Sequence, residues 1–101
     1  MSQLLESTKY FVLLAVADGP AHGTAVRKRI VGDASGVYLR DSTLYASIKS
    51  LRAAGLIEEI GNGHSYRRTY QLTAKGARQL MLEARMHKRA AELALQRLGL
   101  D

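Results

Sequence analysis

Ser42, Thr43, Ala46, Lys49 and Ser50 share one side of a helical period, and Leu44, Ile48 and Leu51 share the other. The first set is small or basic, and the chemistry open to it is contact. Hydroxyls and an ammonium can bond base edges or phosphate oxygens. The second set is an apolar anchor. An ordinary amphipathic surface helix carries the same two-sided pattern, so this stretch alone leaves both readings open. Further along, Arg67 and Arg68 follow an Asn-Gly tip that also holds His64. Neighbouring strand residues point to opposite faces, so only one of the two arginines can serve a given face. They read as phosphate clamps or as solvated strand residues. His64 follows a nucleic-acid backbone or minor groove, or is simply a loop residue. Tyr45 sits at the border of the apolar stripe, where its hydroxyl reaches a phosphate or its ring packs into the core. Lys9 and Tyr10, near the start of an earlier helical period, are further phosphate candidates.

Catalysis finds little support. His22, His64 and His87 are scattered, and Glu58 and Glu59 are adjacent on a β-type run, so their side chains diverge. No metal-ligand spacing, phosphate loop or nucleophile motif is present, so no metal and no cofactor is expected. Cysteine is absent, which excludes disulfides and thiolate metal sites and fits a reducing cytoplasm. The start, MSQLLESTKY, lacks a basic segment followed by a long apolar run, so the sequence predicts no signal peptide. No apolar run approaches the roughly 18 residues that a membrane helix needs, so no membrane partner is expected.

Charge favours a polyanion as partner. Lys and Arg number 15 against 9 Asp and Glu, a net +6. Residues 1–21 hold only Glu6, Lys9 and Asp18 among the charged types. The positive excess therefore lies from His22 onward, where nucleic acid is the leading candidate partner.

These residues need elements to hold them. Tyr10, Leu13, Leu14 and Ala17 recur at i, i+3, i+4, i+7, which predicts a helix from about Leu4 to Ala17, stopped by Asp18-Gly19-Pro20. A second helix runs from about His22 to Val31 with Ala25, Val26 and Ile30 inward. Its Arg27, Lys28 and Arg29 fan round most of the outer surface and read as a solvated face, or as a face from which one of them touches phosphate. His22, where a turn enters this helix, suits capping or packing. Val37-Tyr38-Leu39 alternates weakly, as a very short strand would. The third helix spans roughly Ser42 to Ala54, with Asp41 or Ser42 as its N-cap and Gly55 as its end. Leu56–Ile60 and Tyr66–Leu72 read as a hairpin across Gly61-Asn62-Gly63-His64-Ser65. Thr73 caps a last helix to about Leu98. The expected fold class is mostly α with a small β-hairpin: a winged helix-turn-helix in residues 1–72, then a C-terminal dimerisation helix in 73–101. That last helix carries Leu80, Ala84, His87, Ala91, Ala94 and Leu98 in a 4-3-4-3-4 spacing, widened by Leu82, Met86 and Leu93. The small domain beside it cannot cover so long a face, which points to a second subunit. Packing back on the first helix would use part of the same stripe.

Three stretches, "ADGPAHGTAVRKRI", "STLYASIKSLRAAGLIEE" and "RRTYQLTAKGARQL", resemble the PadR-like transcriptional regulators. That family typically shows a GP-x-HGY turn, a GTLY-x-x-L-x-x-L-x-x-x-GLI helix and an R-x-x-Y-x-LT-x-x-G segment. Gly19, Pro20, His22 and Gly23 match the first. Thr43, Leu44, Tyr45, Leu51, Gly55, Leu56 and Ile57 match the second, and Arg67, Tyr70, Leu72, Thr73 and Gly76 match the third. Thr24 and Ser42 stand where the family usually has tyrosine and glycine. The single last helix resembles the family's short branch. The resemblance implies a homodimeric, sequence-specific repressor of double-stranded DNA, often responsive to a small molecule or stress. A winged-helix module that binds protein is the competing expectation. Salt separates them, because DNA binding weakens steeply as salt rises. RNA reading lacks the exposed aromatic platform of single-strand binders.

Overall fold

Val12, Leu13, Ala15 and Val16 are all buried on α1 (Ser7–Ala17), so this helix is apolar around much of its circumference. Such a helix must be covered on several sides. In the computed structural model, which describes residue 5 and residues 7–33, 39–61 and 68–100, α1 is packed by α2 (Gly23–Asp33), α3 (Asp41–Ala53) and α4 (Ala74–Arg97). Val26 and Ile30 come in from α2, and Leu44, Ile48 and Leu51 from α3. The anticipated apolar stripe of α3 is therefore core, and Ser42, Thr43, Ala46 and Lys49 on its opposite face are exposed.

Among the described residues the sheet has three antiparallel strands, not a hairpin alone: β1 (Ala21–His22), β2 (Ile57–Ile60) and β3 (Thr69–Leu72), in the order β1-β3-β2. Ala21 pairs with Tyr70, and Ile57 pairs with Leu72. A two-residue strand is too short to show a period, which is why β1 was not anticipated. Of the strand expected at Val37–Leu39, only Leu39 lies within the described residues. It is buried and outside any strand.

Local contacts revise two expectations in α2 and α3. Arg29 is no solvated residue. Its Nη1 donates to the carbonyls of Ala15 at 3.0 Å and Gly19 at 2.6 Å, tying the end of α1 to α2. Arg27 pairs with Asp41, and Lys28 is exposed. α3 starts at Asp41, behind an extended Arg40 with no side-chain cap. The Asp41 carboxylate turns to Arg27 instead, though an acid in the first turn still complements the helix dipole. His22 does cap: its Nδ1 accepts from the Ala25 amide at 3.3 Å.

α3 ends in a Schellman arrangement, with Leu56 N bonded to Leu51 O, Gly55 N to Arg52 O, and Gly55 at φ 77°. The same corner seats α4. Thr73 Oγ1 accepts from Gly76 N at 3.0 Å and donates to Gly55 O at 2.7 Å. Lys75 Nζ donates to Ala54 O at 2.8 Å, and Thr73 N donates to Leu56 O at 3.2 Å. One corner thus fixes the angle between α3 and α4.

Glu83 on α4 is 2% exposed. Both its carboxylate oxygens accept from the Leu5 amide at 3.2 Å, and Gln79 donates to it as well. It ties the segment before α1 to α4. Glu83→Ala would remove the acceptor from a partly buried amide, a change that typically costs about 1–3 kcal/mol. The expected result is a urea midpoint lowered accordingly, with the Leu5 amide exchanging faster. An unchanged midpoint would make the tether incidental.

Candidate nucleic-acid interface

On α3, Ser42, Thr43, Tyr45, Ala46 and Lys49 are exposed and Ser50 is half-buried, while the neighbouring Ser47 is buried. The face is flat because its outward residues are short, apart from Tyr45 and Lys49. α1 adds Lys9, which joins Ser42, Thr43, Ala46, Ser47 and Ser50 around an open hollow of about 380 Å³. Lys9 is thus brought to α3 by packing.

Tyr10 is not brought there. One residue along a helix turns the side chain by about 100°. The Tyr10 ring meets His87 of α4 edge-on at a centroid distance of 4.6 Å, and Phe11 at 6.0 Å. It lines a different pocket, of about 300 Å³, with Leu5, Ser7, Phe11 and His87. The anticipated phosphate role of Tyr10 therefore gives way to packing between α1 and α4.

Tyr45 is 50% exposed and lies over the start of α2. A Cβ on Gly23 would fall 2.8 Å from Tyr45 Cε1 and 3.0 Å from its hydroxyl, so glycine there makes room for the ring. Tyr45 is half packed and half available, which keeps parts of both expected roles.

On the other flank of α3, Arg68 enters β3 and meets β2. Its Nε lies 3.4 Å from Glu59 Oε1, and Arg52 Nη2 lies 3.8 Å from Glu59 Oε2. With Tyr45, Ile48, Lys49, Arg52 and Tyr70, Arg68 borders a cleft of about 370 Å³. His64 and Arg67 lie outside the described residues. The sequence reading missed Arg52 and Glu59. Arg52 is three residues after Lys49 and shares its side of the helix. Glu59 faces Tyr70 in the β2–β3 register, which only the strand pairing reveals.

The α4 stripe divides. Leu80 and Ala84 are half-buried, and Leu80 packs on the core. His87 is exposed but lies against Tyr10. Ala91, Ala94 and Leu98 continue that face and are exposed, Leu98 to 70%. Met81, Leu82, Met86 and Leu95 are exposed as well. The chain extends 54 × 31 × 21 Å, in keeping with a helix that runs past its own domain. Among the described residues no group of acidic and histidine side chains could hold a metal ion, and no helix is long and apolar enough to cross a membrane.

The model of the transcriptional regulator PadR-like family matches residues 12–82, from α1 into α4. The chain belongs to the PadR-like family. As a member it is a DNA-binding transcriptional regulator and not an enzyme. No curated protein sequence matches it. Its fold is similar to that of a PadR family transcription regulator from Clostridium difficile (TM-score 0.79, 21% identity, 92% of this chain and 99% of that one). It is also similar to that of the smu.1704 protein from Streptococcus mutans (TM-score 0.76, 21% identity, 100% and 97%). The PcaV transcriptional regulator of Streptomyces coelicolor, solved with its natural ligand, shares the fold at a TM-score of 0.76 and 24% identity, over 94% of this chain and 64% of that one. The motif glycines of this PadR-like chain have physical duties: Gly23 accommodates Tyr45, and Gly76 lets α4 touch the backbone of Leu56.

Proposed function

We propose that this PadR-like regulator acts in the cytoplasm as a homodimer on a pseudo-palindromic operator, represses transcription there, and is released by a small-molecule effector. The observation that carries the reading is the two-sidedness of α3. Leu44, Ile48 and Leu51 are buried, while Ser42, Thr43, Ala46 and Lys49 form a flat face flanked by Lys9 on one side and Arg52 and Arg68 on the other. A helix entering a major groove needs such a face, with cations beside it for the two phosphate backbones. Pairing through α4 supplies the second copy. The exposed Ala91, Ala94 and Leu98 support it, since two copies that pair by a two-fold axis present two α3 helices to two half-sites. The pocket between α1 and α4, with Tyr10, Phe11 and His87, is of a size for a small-molecule effector. The ligand-bound Streptomyces coelicolor regulator is a precedent for a regulator of this fold that binds a ligand.

The test separates base reading from clamping. Operators are selected from random DNA, and variants are titrated with salt on an operator and on a scrambled duplex. Thr43→Ala and Lys49→Ala are expected to lose about 1–3 kcal/mol on the operator and much less on the scrambled duplex. Arg68→Ala is expected to weaken both alike and to lower the salt slope by about one per lost phosphate contact. Equal losses on both duplexes for the α3 variants would remove that helix from base reading. Wild type that binds no duplex even at low salt would leave the protein-interaction module as the better account.

A further inference from the structure

Three cations, Lys49, Arg52 and Arg68, meet at the cleft between α3 and β3, and the Glu59 carboxylate pairs with two of them. Glu59 divides its two oxygens between guanidiniums that come from different elements. Its contacts, 3.4 Å to Arg68 and 3.8 Å to Arg52, are longer than the roughly 2.7–2.9 Å of a close charge-assisted hydrogen bond. All three side chains are substantially exposed, Arg68 to 68%. Pairs so loose and wet are easily exchanged for another anion. With α3 in a groove, this cleft faces one backbone of the duplex. A phosphate and a carboxylate seek the same donors, and guanidinium forks suit both.

We infer that Glu59 stands in for a DNA backbone phosphate in the free protein and competes with it for Arg52 and Arg68. The inference rests on α3 being the duplex-facing helix. On binding, Glu59 gives up the two arginines but remains beside them, so its charge opposes the incoming phosphate. It lowers affinity for every duplex, cognate or not, and keeps the regulator from lingering on random sequence. A carboxylate that merely orients the arginines would have the opposite effect when removed.

Glu58 provides the control. It is next to Glu59 on β2, points to the other face and bonds Gln71. Glu58→Gln and Glu59→Gln remove the same charge from nearly the same place. Binding of each to an operator and to a scrambled duplex is measured from about 50 to 200 mM salt, with thermal melts to verify folding. Glu59→Gln is expected to bind both duplexes about five- to tenfold tighter for each copy in contact with the duplex, the effect of one surface charge at close range, with a steeper salt slope. Glu58→Gln is expected to stay within about twofold of wild type, because its charge is farther from the cleft and screened. Adding Arg68→Ala to Glu59→Gln is expected to erase most of the gain. Weaker binding by Glu59→Gln, or a gain no larger than that of Glu58→Gln, would overturn the inference while leaving DNA recognition intact. Wild type without salt-dependent DNA binding would overturn both.

Discussion

A chain cut after Lys88 is expected to fold, to sediment as a monomer, and to lose roughly a thousandfold in operator affinity. The cut leaves Glu83 on Leu5 and His87 on Tyr10, so the part of α4 that packs on its own domain is kept. It removes Ala91, Ala94, Leu95 and Leu98, which are exposed. Joining two reading heads makes the second contact intramolecular, and such linkage commonly multiplies affinity by about 10²–10⁴. Losing it forfeits that factor without touching α3. Analytical sedimentation at micromolar concentration and a binding titration on the same operator check both halves of the expectation. A full-length chain that is monomeric at that concentration, or a cut chain that still pairs, would move the interface away from this part of α4.

Gly76→Ala is expected to cost about 3 kcal/mol, and Gly76→Val to leave little folded protein. A Cβ at this position would lie 1.9 Å from the Leu56 carbonyl oxygen, 2.9 Å from its carbon and 2.9 Å from Leu72 Cδ1. Two of these atoms are backbone, and the oxygen already holds Thr73 N, so only the Leu72 side chain can swing aside and the Leu56 carbonyl cannot. α4 must shift and strain its Thr73 cap. Overpacking costs roughly 1–3 kcal/mol and sometimes more, and a lost cap about 1 kcal/mol. Better helix propensity returns up to about 1 kcal/mol. Gly32→Ala is the matched control: among the described residues no atom outside its own stretch of helix lies within 4 Å of its added Cβ, and a gain of some tenths of a kcal/mol is expected. Urea unfolding followed by far-UV circular dichroism ranks the variants. Equal midpoints for Gly76→Ala and Gly32→Ala would contradict the close approach.

Features that a few neighbouring residues decide were legible in the sequence. The stripe of Leu44, Ile48 and Leu51, the stop at Gly55 and the cap at Thr73 each depend on residues within a turn or two. So does the flat face of Ser42, Thr43 and Lys49. What stayed hidden depends on meetings between distant segments. Glu83 reads locally as one more acid on an amphipathic helix, and only the return of Leu5 makes it buried. Arg29 sits in a basic triplet, but the carbonyls it satisfies belong to the preceding helix and turn. Glu59 and Arg52 come together because β2 folds back along α3. The α4 period was visible, yet a single apolar stripe does not tell where cover by α1 ends and exposure begins. Tyr10 and Lys9 differ by one position, and the helix sends them to different neighbours.

The bond between Leu5 and Glu83 spans 78 positions. A ribosome adding about 5–20 residues per second makes Glu83 roughly 4–16 s after Leu5. In that interval α2, α3 and the sheet are synthesised in order, and each can settle on α1 as it emerges. The flank of α1 that holds Tyr10 and Phe11 waits for α4, and contacts of such long separation close late because the intervening chain must first give up its freedom. On the proposed reading, the surface offered to DNA is therefore synthesised before the helix offered for pairing. On that reading a newborn chain passes through a stage in which it has a reading head and no second copy to hold.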